Sequence, residues 1–249
     1  MFNNQNNFQL YKGDCLEIMK EIPDKSIDMI LCDLPYGTTA CKWDVIIPFD
    51  GLWKQYNRII KDNGAIVLFG SEPFSSKLRT SNIKNYRYDW IWNKVSISSP
   101  LLAKVQPLKC HEMISVFYKK KPVYNPQMTK GTQWRRGGKS FCKSDLFGDS
   151  TLITNKGSDV NCLKYPKSII TFSNANKTNR VHPTQKPVPL LEYLIKTYTN
   201  EGEIVLDNCM GSGSTGEASL RTNRRFIGIE KDDKYFDIAY NRINGYIYE

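Results

Sequence analysis

The sequence has only two histidines, His111 and His182, and its seven cysteines (15, 32, 41, 110, 142, 162 and 209) include no Cys-x-x-Cys pair. A zinc centre is therefore poorly supplied and the odd count fits no disulfide framework, so no metal site is expected. The thiols read as reduced small hydrophobes in a cytoplasmic protein. Long apolar runs are also missing. Stretches such as Ala65–Phe69 fall far short of the roughly 20 residues that cross a bilayer. The first seven residues, Met1 to Asn7, hold no basic start followed by an apolar stretch, and no secretory leader is expected. At 40% hydrophobic and 24% charged, the composition is that of a globular chain and not a disordered one.

What the sequence has in excess is positive charge, +10 formally, and it lies in one place. Residues 117–180 carry 13 Lys and Arg against three acids, so this segment holds the whole excess and the remainder is formally neutral. Tyr124, Trp134, Phe141, Phe147 and Tyr165 are interleaved with the cations. Cations that neutralise phosphates beside rings that stack on bases suit a nucleic acid; a solvated insertion without a partner is the plainer alternative.

Outside that segment, short apolar runs alternate with amphipathic ones. Ile27–Cys32, Ala65–Phe69, Tyr88–Trp92, Met113–Tyr118, Ile204–Leu206 and Phe226–Ile229 are continuous and rich in branched and aromatic residues, as strands buried on both faces should be. Cys15–Lys20, Leu52–Lys61, Val188–Tyr198, Thr215–Arg221 and Lys234–Ile243 have helical spacing, and Asp62-Asn-Gly64 is expected to end the second helix. The alternation predicts an α/β, Rossmann-like doubly wound and mostly parallel sheet. Residues 1–116 and 181–249 would form its catalytic and cofactor-binding domain, with 117–180 inserted.

Two strand ends carry chemistry. After Ile204–Leu206 comes Asp207-Asn-Cys-Met-Gly-Ser-Gly-Ser-Thr-Gly216, in which Gly211, Gly213 and Gly216 match G-x-G-x-x-G and Glu230 follows Gly211 by 19 residues. Glu217-Ala218 stand where a phosphate-loop Lys-Ser/Thr would be needed, and three residues separate Asp207 from the first glycine, which disfavours NAD. Glycines that admit a ligand to the backbone, a helix start and a ribose-binding acid accommodate a nucleoside with a carboxylate. After Ile27–Cys32 comes Asp33-Leu-Pro-Tyr36, a stiff polar turn.

Asp33-Leu34-Pro35-Tyr36 resembles the catalytic tetrad, Asp/Asn/Ser-x-Pro-Tyr/Phe, of the amino-group (N6-adenine/N4-cytosine) DNA methyltransferases, and the likeness continues along the chain. Asp207, Asn208, Gly211, Ser212 and Gly213 are similar to the family's cofactor loop, and Glu230 to its ribose acid. Gly13-Asp14 is similar to its cofactor-adenine contact. His182-Pro-Thr184-Gln-Lys186-Pro187 resembles the segment that closes over the cofactor's methionine end, and puts Thr184 and Lys186 at the cofactor. Leu34 stands where Pro is commoner. The motif order resembles the permuted β class, whose target-recognition region falls at the basic insertion, so Arg135, Arg136, Lys139 and Lys143 are expected on DNA.

The resemblance implies an S-adenosyl-L-methionine-dependent, site-specific methyltransferase fold and activity, acting on a base flipped out of double-stranded DNA. Asp33 and the Leu34 carbonyl would accept from the exocyclic amine and Tyr36 would stack on the base; no cysteine need act as nucleophile. Asp at the first position points to adenine N6, with cytosine N4 as the alternative. A catalytically silent nucleic-acid-binding subunit is the rival from another class. A homodimer and a cognate restriction nuclease are partners by family likeness alone, as is a bacterial or phage origin. Phe69–Phe74 and Trp90–Lys94 are expected to be half core and half rim, and His111 structural.

Overall fold

The computed structural model describes residues 7–38, 44–98, 100–131, 140–144, 148–152, 163–174 and 185–245; at 98, 140–144 and 148–152 it describes the backbone alone. The chain divides into two compact units, residues up to 125 with those from 167, and Pro126–Pro166.

In the larger unit the elements are β1 (Phe8–Lys12), α1 (Cys15–Ile18, continued by a 3-10 turn), β2 (Ile27–Cys32), α2 (Phe49–Ile59), β3 (Ile60–Gly70), α3 (Phe74–Ser81), β4 (Tyr86–Ser98) and β5 (Lys109–Phe117). The smaller unit carries β6 (Thr129–Lys130), β7 (Ser140–Ser144), β8 (Gly148–Leu152) and β9 (Leu163–Lys164) as two antiparallel pairs, β6 with β9 and β7 with β8. The larger unit resumes with β10 (Ile169–Thr171), α4 (Val188–Tyr198), β11 (Ile204–Asp207), α5 (Ser214–Arg221), β12 (Arg225–Glu230) and α6 (Asp233–Gly245).

Eight strands form one sheet in the order β1-β12-β11-β2-β3-β5-β4-β10. All neighbours are parallel except at β5, which runs antiparallel between β3 and β4. Side-chain alternation explains why the central strands are apolar throughout. In β2, Ile30 and Cys32 pack with Leu52, Tyr56, Phe74 and Leu78 of α2 and α3, while Met29 and Leu31 pack on the other face with Leu190, Leu194 and Ala218 of α4 and α5. Strands β3 and β11 divide in the same way, Leu68 and Leu206 to one face, Val67 and Val205 to the other. A smaller cluster of Phe8, Met210, Phe226, Ala239 and Ile243 seats α6.

The chain winds outward from the middle of this sheet. From β2 it passes through α2 to β3 on one side; from β11 it passes through α5 to β12 on the other. The switch point therefore lies between β2 and β11, and ligands of such sheets bind outside the carboxyl ends there.

Three expectations change. Helix α2 stops at Ile59, and Ile60 is already extended and paired with Ile27, so Asp62–Gly64 lies within β3. Gly64 serves close approach and not a helix end: a Cβ there would lie 2.8 Å from the Asp28 carbonyl. The compact insert is also narrower than 117–180, because Ile169–Thr171 pairs with β4 and Asn125 bonds to the last turn of α4 through the carbonyls of Thr197 and Thr199. Elements β1, α3 and β10 were not legible; they are short and each buries only one to three side chains. Among the described residues no helix is long and apolar enough to cross a membrane, and no cluster of His, Cys, Asp and Glu fits a metal ion.

Candidate active site

A cavity of about 670 Å³ opens at the switch point, within the about 300–1,000 Å³ usual for small-molecule sites. It is lined by the turns after β1 (Gly13, Asp14), β2 (Asp33 to Tyr36), β11 (Asp207 to Ser212) and β12 (Glu230 to Asp232). Trp92 and Lys94 of β4, Glu112 of β5, and Gln185 and Lys186 before α4 complete the wall. Because β5 is antiparallel, it is its N-terminal part that reaches this edge.

The turn after β2 is braced at both ends. Asp44 accepts from the amides of Gly37 (2.8 Å) and Thr38 (2.9 Å), and Gly37 has φ +66°, with Ile46 2.9 Å from where a Cβ would be. Leu34 is buried beneath the turn, while Tyr36 stacks on Phe74 at 4.9 Å between centroids. The Tyr36 hydroxyl donates to Asp33 Oδ1 at 2.6 Å, and the Lys186 ammonium donates to Asp33 Oδ2 at 2.5 Å. Burial lifts the Asp33 carboxyl above its usual range against the opposing pull of Lys186, and burial holds the Tyr36 phenol well above 10, so it stays a donor.

The lysine belongs to a row of four charges. Lys186 Nζ lies 3.4 Å from Glu112 Oε2, and the other Glu112 oxygen accepts from Lys94. Burial alone would raise Glu112, but Lys186 and Lys94 outweigh it and hold the carboxylate below its usual range. Burial would likewise lower Lys186, yet Asp33 and Glu112 keep it above the ordinary lysine value. Both ammoniums rest on aromatic faces, Lys186 5.1 Å from the Phe69 ring centre and Lys94 5.3 Å from that of Trp92.

The glycine loop is held by its neighbours. Asp207 is buried and accepts from the Cys209 amide at 3.1 Å, and burial pushes its carboxyl up to about 6. Asn208 turns its carboxamide into the core, where Tyr56 of α2 donates to it at 2.5 Å. The Gly211 amide donates to Glu230 Oε2 at 2.8 Å, while Glu230 Oε1 accepts from the amides of Lys231 and Asp232. Burial raises Glu230 despite these three bonds. Arg242 of α6 donates to Ser212 and Ser214 across the loop. Asp14 caps α1 through the Leu16 amide and pairs with Lys231 at 3.2 Å.

Most expected residues thus meet at one cavity, with differences. Gly213 is not in its wall: a Cβ there would lie 3.0 Å from Ala239 of α6, and at Gly216 it would strike Ile243 and Phe226. Those two glycines serve helix packing, and only Gly211 of the three borders the cavity. Lys186 reaches the cavity through the Asp33 side. His182, Thr184, Arg135, Arg136 and Lys139 lie outside the described residues, as does the side chain of Lys143. Glu112, Asp44 and Arg242 went unread from the sequence; Glu112's only signal is an acid at the head of the apolar run Met113–Tyr118. Burial pushes the Cys32 thiol up to about 12, so it is protonated at neutral pH and no nucleophile.

The chain can be set beside known proteins. The N6/N4 methyltransferase family model, described as DNA methylase, matches residues 27–241. The type II methyltransferase M.HinfI of Haemophilus influenzae is 28% identical over 281 positions, covering 98% of this chain and 70% of that protein. M2.MboI of Moraxella bovis is 26% identical, covering 95% and 87%. The solved complex of M1.HpyAVI with SAM aligns with TM-score 0.66 at 26% identity over 95% of this chain and 99% of that one. The PvuII DNA methyltransferase, cytosine-N4-specific, aligns with TM-score 0.69 over 95% and 86%, and at 17% identity it bears on the fold alone. Matched along most of its length, with the tetrad and glycine loop meeting at one cavity, the chain belongs to the N6/N4 DNA methylase family of S-adenosylmethionine-dependent DNA methyltransferases.

Proposed function

We propose that this chain methylates the exocyclic N6 of an adenine flipped out of duplex DNA. The observation that carries the reading is Asp33: a carboxylate, not a serine hydroxyl, stands first in the tetrad, at the switch point and in the lining of the cavity. An exocyclic aromatic amine is a weak nucleophile because its lone pair is delocalised into the ring. Acceptors on its two hydrogens draw the nitrogen towards tetrahedral, and Asp33 with the Leu34 carbonyl are adjacent candidates. Tyr36, already seated on Phe74, offers an aromatic surface for the base.

The polar lining fits S-adenosylmethionine. Glu230 lines the cavity with Gly211, Asp14 and Lys231, a set suited to a ribose and a charged amino-acid tail. Bound there, the cofactor supplies an electrophilic methyl on a sulfonium. Asp207 and Asn208 keep the loop in shape, and Thr184 is proposed at the methionine end. Arg135, Arg136, Lys139 and Lys143 are proposed to contact phosphates, which would give the basic segment its use.

The test is to incubate DNA with the purified chain and cofactor, digest it and identify the nucleosides by mass spectrometry. N6-methyladenine supports the reading. N4-methylcytosine would replace the adenine assignment, and DNA without any modified base would sink the activity altogether.

A further inference from the structure

Lys94, Glu112, Lys186 and Asp33 come from four separate segments, β4, β5, the approach to α4 and the turn after β2, and stand in line along the cavity wall. The two ends of the row are fixed differently. Lys94 is bonded to Glu112 Oε1 and lies on Trp92, whereas Glu112 Oε2 is buried and accepts no hydrogen bond. Lys186 forms a long ion pair with that oxygen, at 3.4 Å, and a shorter hydrogen bond to Asp33, at 2.5 Å. On Asp33 both oxygens are engaged by the chain's own donors, Tyr36 and Lys186.

We propose that Lys186 is a positioning residue that holds Asp33 in place and shifts its shorter contact from Asp33 to Glu112 Oε2 when the target amine takes its position on Asp33. The inference rests on the proposed reading that Asp33 faces an exocyclic amine. A displacement below about 1 Å closes the gap to Glu112 to ordinary hydrogen-bond length. An ammonium is suited to that move: it is a point charge with three rotatable donors on a flexible stem, whereas a guanidinium fork commits to one geometry. The Phe69 ring, 5.1 Å from the ammonium, favours the cation at this end of the row.

The row also sets charge. Two carboxylates in a desolvated wall would compete for a proton, and protonation would make Asp33 a weaker acceptor for an amine. Lys186 pulls the Asp33 carboxyl down and Glu112 pushes it up, both beside a larger rise from burial. The groups that face Asp33 are Tyr36 in its own turn, Lys186 before α4, Glu112 on β5 with Lys94 behind it on β4, Asp207 at the end of β11 and Cys32 at the end of β2. Of these, Lys186 is the cation in contact, so its removal and the removal of Glu112's charge should act on Asp33 with opposite sign.

The experiment measures methyl transfer from labelled S-adenosylmethionine to unmethylated DNA between pH 5 and 9, with cofactor affinity titrated separately. Lys186→Met should lower kcat about 100-fold, keep cofactor Kd within about twofold and move the acid limb of the profile up by about one pH unit. Glu112→Gln should move that limb down and raise KM for DNA about tenfold, because the lysine then has Asp33 alone. Lys186→Arg, which keeps the charge should the other variants fold poorly, should leave the acid limb in place and lower kcat about tenfold. A tenfold weaker cofactor Kd in Lys186→Met would make the lysine a cofactor ligand and overturn the proposal, as would limbs that move together or not at all, or full kcat in Lys186→Arg. A wild-type protein that methylates no DNA would sink the proposed activity and this inference with it; an active one with unmoved limbs would sink the inference alone.

Discussion

The Tyr56 hydroxyl and the Asn208 carboxamide meet at 2.5 Å, although 152 residues separate them. This buried bond ties α2, in the core, to the loop that shapes the cofactor side of the cavity. Tyr56→Phe leaves Asn208 Oδ1 without its donor, which costs about 1–3 kcal/mol. The Tm should fall by roughly 2–4 °C per kcal/mol in a protein of this size. Cofactor affinity should weaken as well; a calorimetric scan and a cofactor titration check both.

Asp33→Ala should reduce methyl transfer by at least about 100-fold, since it removes the acceptor on the amine. Cofactor Kd should stay within about threefold, because the glycine loop and Glu230 are untouched. Equal losses of transfer and of cofactor binding would place Asp33 in the wrong role.

The glycines of the loop should divide by substitution. Gly216→Ala puts a Cβ 2.4 Å from Ile243 Cδ1 and 2.8 Å from Phe226. Such overpacking costs about 1–3 kcal/mol of stability. Gly211→Ala, at φ +51° in the cavity wall, should chiefly weaken cofactor binding. Urea melts and cofactor titrations on the two variants separate the effects.

Asp207 gives stability a pH dependence of definite sign. Its carboxyl is pushed up to about 6 in the folded chain from an ordinary value near 3.8, so its contribution is fully present below about pH 4 and is lost as pH rises through 6. Asp207→Asn keeps an oxygen for the Cys209 amide and carries no charge. Relative to wild type it should gain up to about 3 kcal/mol at pH 8, and the difference should vanish near pH 4. Urea melts at the two pH values decide it.

Neutralising Arg135, Arg136 and Lys139 together should weaken DNA binding and flatten its salt dependence by about two to three in log–log slope. An unchanged slope would mean that these cations do not touch phosphate.

The tetrad and the glycine loop were legible because each is a contiguous motif at the end of an apolar run, where an α/β sheet places its ligands. Glu112 was not, since its place at the site depends on β5 running antiparallel between β3 and β4, a pairing of distant segments that no local pattern records. Lys186 was found by its motif, yet its partner could not be: the bond to Asp33 spans 153 residues. The packing role of Gly213 and Gly216 was not legible for a related reason, because the close approach they permit is to α6 and Phe226, which no local pattern records. Asp62–Gly64 looked like a helix end, and the pairing of Ile60 with Ile27 overrode that local signal.

The tetrad turn and the glycine loop sit side by side only because β11 pairs with β2, Val205 against Met29 and Leu206 against Ile30. That contact joins residues 176 apart in sequence, so the sheet's centre is a highly non-local seam and a slow one to form. A growing chain on the ribosome has the tetrad early but not the glycine loop beside it until β11 and its turn emerge. Every partly synthesised chain that stops short of that strand therefore carries the chemistry of the tetrad without a pocket to use it in.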